Sequence, residues 1–414
     1  MRRFPTLLVL CASLATLLPA QNIPLSEYRA RREALRRDLD GTLILFGKTV
    51  GSDEVFGFTQ EANFYYLTGW TQPGAVLLVN KSDEVLFLPH HNRRGEIFNG
   101  HRSSAEDPDV KQVSGFDKVM PIEKLESQLG QALQLAEKVY ALPRQPQAEK
   151  LRALLAFREI SDAGPVIAKH RVRKSEAEIA AIQHATDVTI LAHRAAWKRM
   201  LPGLYEYQIG ATLSDTFFEN GCERYAYSPI VGSGPNSTVL HYSSNRRRMD
   251  RGEVVVMDSA AECGYYASDI TRTVPVGGKF TARQRELYDI VLGAQNAAIA
   301  AIKPGARLQG DTDSLNRIAK DYINSHGKDL HGESLGKYFT HGLGHSVGID
   351  VHDPGPAGPL EAGMVITMEP GIYIPEEGIG IRIEDVVLVT EHGAKILSAA
   401  LPREADEVEK ALAK

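Results

Sequence analysis

Apolar and polar positions follow two different patterns along this chain, and the change falls near residue 170. Before that point, four short runs have the aromatic, aliphatic and β-branched composition of strands, at 42–47, 63–69, 75–80 and 85–88. Two charged segments have helical character, at 26–39 and 147–159. The mixture predicts an α/β unit in this part of the chain.

Beyond Arg171 the pattern becomes helical. Ser175 and Glu178 have the spacing of a capping box, and apolar residues then recur at helical intervals. Further helices are predicted at 205–219, 281–302 and 311–325, and strands at 253–258, 269–276, 364–370 and 381–390. This order would fit a duplicated αββ unit, for which one sequence gives only weak support.

Acidic residues accompany the predicted strands where apolar neighbours predict burial: Asp258, Asp269, Glu369 and Glu384. Any one of them alone is more commonly an exposed acid at a strand end. Four in comparable settings call for positive charge, because an isolated ionised carboxylate in an apolar sheet is costly. A hairpin that turns at Gly264 would bring the first two together. Arg382 would share a strand face with Glu384 and could orient a ligating carboxylate.

Three histidines lie in the stretch "HGLGHSVGIDVHD": His341, His345 and His352. Gly342 and Gly344 disfavour a helix and no glutamate follows His341, which excludes a helical His-Glu-x-x-His zinc motif. A lone histidine is more often structural than a ligand, so not all three are counted as ligands. Four carboxylates with one imidazole suit Mn²⁺ better than tetrahedral zinc, and a pair of ions uses five ligands naturally.

The first residues differ from the rest of the chain. A cationic start is followed by the apolar run "FPTLLVLCASLATLLPA", which predicts a signal peptide over residues 1–20 and a secreted or periplasmic protein. Cys222 and Cys263 are then the only cysteines of the mature chain, and they permit one disulfide.

The 414 residues suggest two domains. The formal net charge of -5 argues against a nucleic-acid partner, and no stable membrane span is expected after signal removal. Gly232 and Gly234 lack a full dinucleotide fingerprint and are interpreted as a turn. His90 and His91 are interpreted as loop residues rather than ligands.

Four motifs carry a resemblance to a known family. In order they are "MDSAAECGYYASDITRTVPV", "HGLGHSVGIDVHD", "TMEPGIYI" and "GIGIRIEDVVLVT". They resemble the metal-site motifs of the pita-bread metallopeptidases, most of all the Xaa-Pro aminopeptidases, with the Xaa-Pro dipeptidases (prolidases) close behind. The stretch "NFYYLTGWTQPGAVLLV" resembles the amino-terminal domain that these enzymes carry. The resemblance implies a two-domain α/β protein, with a creatinase/prolidase-like domain at 21–165 and a pita-bread catalytic domain at 171–410.

The resemblance also implies roles for individual residues. Two divalent metal ions, with Mn²⁺ favoured, would be held by Asp258, Asp269, His345, Glu369 and Glu384. Residues that contact substrate or support catalysis would be His241, His341, His352, Glu369 and Arg382. The implied reaction is hydrolysis of the first bond in peptides whose second residue is proline.

Other functions stay open at this point. A dipeptidase would use the same metal motifs. A peptide-binding module without catalysis is disfavoured by the intact ligand set, and creatinase-like hydrolases lack these acidic ligands. The sequence leaves the number of subunits open, a homo-oligomer included.

Overall fold

The computed structural model describes residues 23–49, 57–134, 138–143, 145 and 160–413. The predicted signal peptide and the helix predicted at 147–159 therefore lie outside the described residues. Within the described residues, no helix combines the length and the apolar character that a bilayer crossing needs.

A mixed β-sheet organises the amino-terminal part. Its strands are β1 (Thr42–Phe46), β2 (Val76–Val79), β3 (Glu84–Leu88), β4 (Val119–Pro121), β5 (Val139–Ala141) and β6 (Ile160–Asp162). They lie in the order β4, β3, β2, β1, β5, β6; the central strands pair antiparallel, and the outer ones parallel to their neighbours. The helices are α1 (Leu25–Asp38), α2 (Ala62–Thr68), α3 (Arg93–Asn99), α4 (Val110–Ser114), α5 (Leu125–Gln134) and α6 (Gly164–Arg171), with a 3₁₀ turn at Ile122–Lys124.

The strand predicted at 63–69 is wrong, because this segment forms α2. The Glu61 side chain accepts a hydrogen bond from the Phe64 N–H, and Gly69 ends the helix with φ at 65°. Only glycine adopts that conformation without strain. The aromatic residues that suggested a strand are buried in this helix, and burial stabilises aromatic side chains in a helix as well as in a strand.

Two helix pairs enclose the strands of the carboxy-terminal part. The helices are α7 (Glu176–Arg199), α8 (Glu206–Glu219), α9 (Ala282–Ala300), α10 (Leu315–His326) and a final α11 (Ala405–Leu412), with 3₁₀ turns at Gly234–Thr238 and Leu335–Tyr338. The predicted capping box of Ser175 and Glu178 starts α7. Helix α7 packs on α8, and α9 on α10.

The strands between and after these helices form small antiparallel sheets. They are β7 (Arg224–Tyr225), β8 (Ile230–Ser233), β9 (Val254–Asp258), β10 (Ala261–Cys263), β11 (Tyr266–Ala267), β12 (Thr271–Pro275), β13 (Val365–Met368), β14 (Gly371–Ile374), β15 (Ile379–Arg382), β16 (Asp385–Thr390) and β17 (Gly393–Ile396). The sheets are β8-β9-β12, β7-β10-β11, β13-β16-β17 and β14-β15. The single strand predicted at 381–390 is therefore two strands, which pair with different partners.

The two parts share a hydrophobic core. Apolar side chains of α1, α2, α7 and β11 pack in one cluster. Tyr65 stacks on Tyr265 with ring centroids 4.0 Å apart, and Arg31 donates to the Tyr266 hydroxyl at 3.3 Å. Arg31 also lies 3.5 Å from the buried carboxylate of Glu178. The amino-terminal part is thus fixed against the hairpin of β10 and β11.

A disulfide joins Cys222, just after α8, to Cys263 in β10. The permitted bond is therefore formed. Both cysteines are buried in the core of the carboxy-terminal part, where the bond anchors the β10–β11 hairpin to the end of α8.

Candidate metal centre

One cavity of about 530 Å³ lies at the ends of the small sheets. It is lined by all nine predicted site residues, namely His241, Asp258, Asp269, His341, His345, His352, Glu369, Arg382 and Glu384. They come from segments more than a hundred residues apart in the sequence. The fold therefore collects the predicted residues at one place.

The β9–β12 hairpin supplies the two aspartates. Asp258 ends β9 opposite Thr271, and Asp269 precedes Thr271 by two residues, so both carboxylates lie at the same end of the sheet. Both are buried. The hydroxyl of Tyr227 lies between them, 2.5 Å from Asp269 Oδ1 and in contact with Asp258 Oδ1.

His345 faces two of the carboxylates. Its Nε2 lies 3.4 Å from Asp269 Oδ2 and 3.5 Å from Glu369 Oε1. Its Nδ1 lies 3.1 Å from the Ser346 carbonyl, which fits an N–H there, so that Nε2 would be the atom available to a metal ion. A side chain at Gly344 would place Cβ 2.1 Å from the Thr367 carbonyl oxygen, so only glycine permits this close pairing beside the histidine.

Arg382 contacts the carboxylate of Asp258 directly and that of its near neighbour Glu384 only indirectly. Its Nη2 donates to Asp258 Oδ2 at 2.6 Å, whereas it reaches Glu384 only through Thr271. The Thr271 hydroxyl accepts from Arg382 Nε at 3.1 Å and donates to Glu384 Oε2 at 2.6 Å. The expectation of a shared strand face is wrong because β15 ends at Arg382, and Glu384 lies in the break before β16.

His341 is paired within the protein on both ring nitrogens. Arg382 Nη1 donates to the Tyr373 hydroxyl at 2.9 Å, so the Tyr373 proton points to His341 Nε2, also at 2.9 Å. The proton of the ring then sits on Nδ1 and donates to the Gly342 carbonyl at 2.8 Å. In this state His341 positions its neighbours rather than offering a donor to the cavity.

The other two histidines lie at the mouth of the cavity. His241 and His352 are both exposed, and the His352 ring lies 4.0 Å from that of His345. Side chains in this position can contact a molecule that enters the cavity.

Burial dominates the electrostatics. It raises the pKa of Asp269 and Glu384 above their ordinary values and that of Glu369 to about 7, because ionised carboxylates repel each other here and lose water. Burial works against a charged His345, but its hydrogen bond to Asp269 and the nearby carboxylates raise its pKa to about 9. Burial and the charge of Arg382 lower the pKa of His341 to about 4.

The donor set fits divalent metal ions. One ligand atom each from Asp269, His345 and Glu384 lies within 4.8 Å of the others, a spacing that one ion can bridge. Four carboxylates, three of them buried, face one guanidinium. The pKa values of Asp269, Glu369 and Glu384 are raised by burial and mutual repulsion, and further positive charge at the site would favour their ionised forms.

Sequence reasoning missed the hydroxyl groups that hydrogen-bond to the predicted site residues. They belong to Tyr227, Thr271, Thr367 and Tyr373. Thr271 follows Asp269 at the strand period and Thr367 precedes Glu369 likewise, which is a signal for a shared face. The two tyrosines carry no such signal.

Several known proteins are similar to this chain. Residues 180–391 match the model of metallopeptidase family M24, and residues 28–140 match the aminopeptidase P N-terminal domain. A Xaa-Pro aminopeptidase of Haemophilus influenzae is 35% identical, over 94% of this chain and 97% of its own. A Xaa-Pro dipeptidase of Pyrococcus furiosus is 34% identical, over 86% and 96%. The structure of zinc-substituted Escherichia coli aminopeptidase P with product has a TM-score of 0.86 at 32% identity, covering 95% of this chain and 99% of that one.

Proposed function

Because this chain belongs to metallopeptidase family M24, we propose that its cavity hydrolyses the first peptide bond of peptides with proline in second position. The observation that carries the proposal is the meeting of all nine predicted site residues in one cavity. The H. influenzae relative, which is a Xaa-Pro aminopeptidase, supports the choice of substrate.

We propose that two divalent ions are held by Asp258, Asp269, His345, Glu369 and Glu384. Mn²⁺ is the favoured ion, because four of the five donors are carboxylates, which suit hard octahedral cations. Such ions, when bound, activate a water molecule and polarise the carbonyl of the bond to be cleaved.

Glu369 is the proposed proton carrier. Its Oε1 accepts a hydrogen bond from Thr367 at 3.2 Å, and its Oε2 faces His341 at 3.8 Å, so the carboxylate is oriented towards the cavity. It takes a proton from the attacking water. A proline nitrogen has no hydrogen in the peptide and must be protonated before it leaves, and Glu369 is placed to supply that proton.

The histidines at the mouth contact the substrate. His241 and His352 are exposed to the cavity, so their imidazole N–H groups can donate to peptide carbonyls and to the oxygen that gains charge. His341 and Arg382 hold Tyr373 and Asp258 in place behind them. His341 and Arg382 therefore act by positioning these side chains rather than by contacting the substrate.

A dipeptidase is the second candidate, favoured by the identity to the P. furiosus enzyme. The two functions differ in whether the substrate ends at the proline. Purified Mn²⁺-loaded protein is assayed on Xaa-Pro dipeptides and on Xaa-Pro tripeptides to pentapeptides of the same first residue. Cleavage of the longer peptides supports the aminopeptidase, and cleavage of dipeptides alone would contradict it.

We also propose that the chain is exported and cleaved near residue 20, so that it acts outside the cytoplasm. The apolar start and the disulfide between Cys222 and Cys263 support this, since disulfides persist in oxidising compartments. Amino-terminal sequencing of the protein from separated cell fractions tests it. An intact Met1 in the cytoplasmic fraction would contradict export.

A further inference from the structure

The segment between β3 and α4 is held by polar rather than apolar contacts. Its helix α3 buries none of its side chains, and Ile97 and Phe98 of that helix are 81% and 76% exposed. A segment of this kind gains little from hydrophobic burial and needs another source of order.

Two histidines in this segment lie between the same two carboxylates. His91 Nδ1 lies 2.9 Å from Glu96 Oε1, and His91 Nε2 lies 2.8 Å from Asp107 Oδ1. His101 repeats the arrangement at longer range, with Nδ1 3.6 Å from Glu96 and Nε2 3.6 Å from Asp107. The two rings therefore present the same nitrogen to the same acid, with centroids 5.4 Å apart.

One end of this cluster has the spacing of a metal site. His91, Glu96 and His101 each offer one ligand atom, and these atoms lie within 4.8 Å of one another. Asp107 lies at the opposite ring nitrogens, where a carboxylate commonly fixes the tautomer of a metal-binding histidine. Its own Oδ2 accepts from the Ser104 backbone N–H at 2.9 Å, which holds it in place.

We propose that His91, Glu96 and His101 form a second metal site, separate from the central cavity, that binds a borderline divalent cation such as Zn²⁺. None of the three lines the central cavity. The ligand atoms come from residues before, within and after α3, so a bound ion would join these three parts of the segment. His91 lies in a loop, as interpreted from the sequence, and nothing in the sequence indicated that His101 lies beside it.

The donor chemistry separates this site from the central one. Two imidazoles and one carboxylate form a set that zinc takes in tetrahedral geometry, with one position left for water or an external ligand. Four carboxylates with one imidazole favour Mn²⁺. The two sites are therefore expected to differ in their preferred ion.

The same contacts would also suit a protonated His91 ion-paired to Glu96 and Asp107, with no metal bound. The experiment uses untagged, Mn²⁺-saturated protein dialysed against Zn²⁺, with bound zinc counted by elemental analysis. Wild type is compared with His91→Gln and His101→Gln, and His90→Gln is the control. His90 is the next residue in the chain, but it pairs with Glu106 and Glu123 instead.

Wild type and His90→Gln are expected to bind one more Zn²⁺ per chain than His91→Gln or His101→Gln. X-ray absorption of the extra ion should show two imidazole nitrogens. Equal zinc in wild type and His101→Gln would overturn the proposal, as would an extra ion without imidazole ligands. His101 is 65% exposed, so its variant should fold, and unchanged peptidase activity would verify this independently.

Discussion

The Arg382 guanidinium donates a 2.6 Å hydrogen bond to Oδ2 of Asp258, at the floor of the cavity. The same guanidinium donates hydrogen bonds to the hydroxyls of Tyr373 and Thr271. The Thr271 hydroxyl in turn donates to the carboxylate of Glu384. One buried cation thus fixes the orientation of two proposed metal ligands, Asp258 directly and Glu384 through Thr271.

Arg382→Lys is expected to lower activity or metal affinity by about 10- to 100-fold, the usual cost of losing a group that orients ligands. A lysine keeps the charge, but its N–H donors sit on one nitrogen and cannot reproduce the planar fork by which three separate nitrogens reach Asp258, Tyr373 and Thr271. Metal titration and kcat/KM on a Xaa-Pro tripeptide measure the effect. Arg283→Lys is the control, because Arg283 binds Glu377 in a similar two-pronged manner away from the cavity. Wild-type kinetics in Arg382→Lys would refute the orienting role.

Tyr227→Phe is expected to weaken metal binding by about 10-fold or more, because the Tyr227 hydroxyl orients both Asp258 and Asp269. Calorimetric titration of the metal-free protein with Mn²⁺ measures this. Tyr242→Phe removes a hydroxyl that binds Glu206 at 2.9 Å and should leave affinity unchanged. If the two variants bind Mn²⁺ equally well, the contact has no role in binding.

Much of the site could be predicted because its residues are chemically conspicuous. Acidic residues among apolar strand residues, and histidines in a glycine-rich stretch, can be recognised from their immediate sequence neighbours. Tyr227 and Tyr373 carry none, because their function arises only from partners far along the chain. Residues 63–69 were mispredicted for a related reason, since Phe64 and Tyr66 suit a buried helix as well as a strand and Glu61 and Gly69 decide between them.

His193 should make stability depend on pH. Burial and the charge of Arg272 lower its pKa to about 4, so the folded protein keeps the ring neutral. Below about pH 6.5 this histidine becomes protonated in the unfolded chain, whereas in the folded chain it stays neutral until near pH 4. The free energy of unfolding therefore falls as the pH falls through this window, by up to about 3 kcal/mol.

Urea unfolding of wild type and His193→Gln at several pH values between these limits checks the slope. In the variant, the free energy of unfolding should depend less steeply on pH, whatever its absolute stability. His392→Gln, at an exposed position, should keep the wild-type slope. An identical slope in wild type and His193→Gln would show that the buried imidazole makes no contribution.

The disulfide should contribute to stability rather than to the chemistry. It closes a loop with a sequence separation of 41, for which chain entropy suggests about 4 kcal/mol. The double variant Cys222→Ser, Cys263→Ser should unfold at a lower urea concentration than the oxidised wild type and match the reduced one. Neither cysteine lines the cavity, so Mn²⁺ affinity should persist. A loss of metal binding with intact folding would assign the bond a role in the site.

Buried carboxylates converge with His345 in this protein because, we propose, they hold catalytic ions. The most direct test of this proposal is metal content and peptidase activity measured together, on wild type and on Asp258→Asn, which keeps the shape of the side chain. Wild type should bind two divalent ions per chain, lose activity on chelation and regain it with Mn²⁺, while the folded variant loses both ions and activity. Full activity of the chelated wild type, or of the variant, would contradict a catalytic role for ions held by these carboxylates.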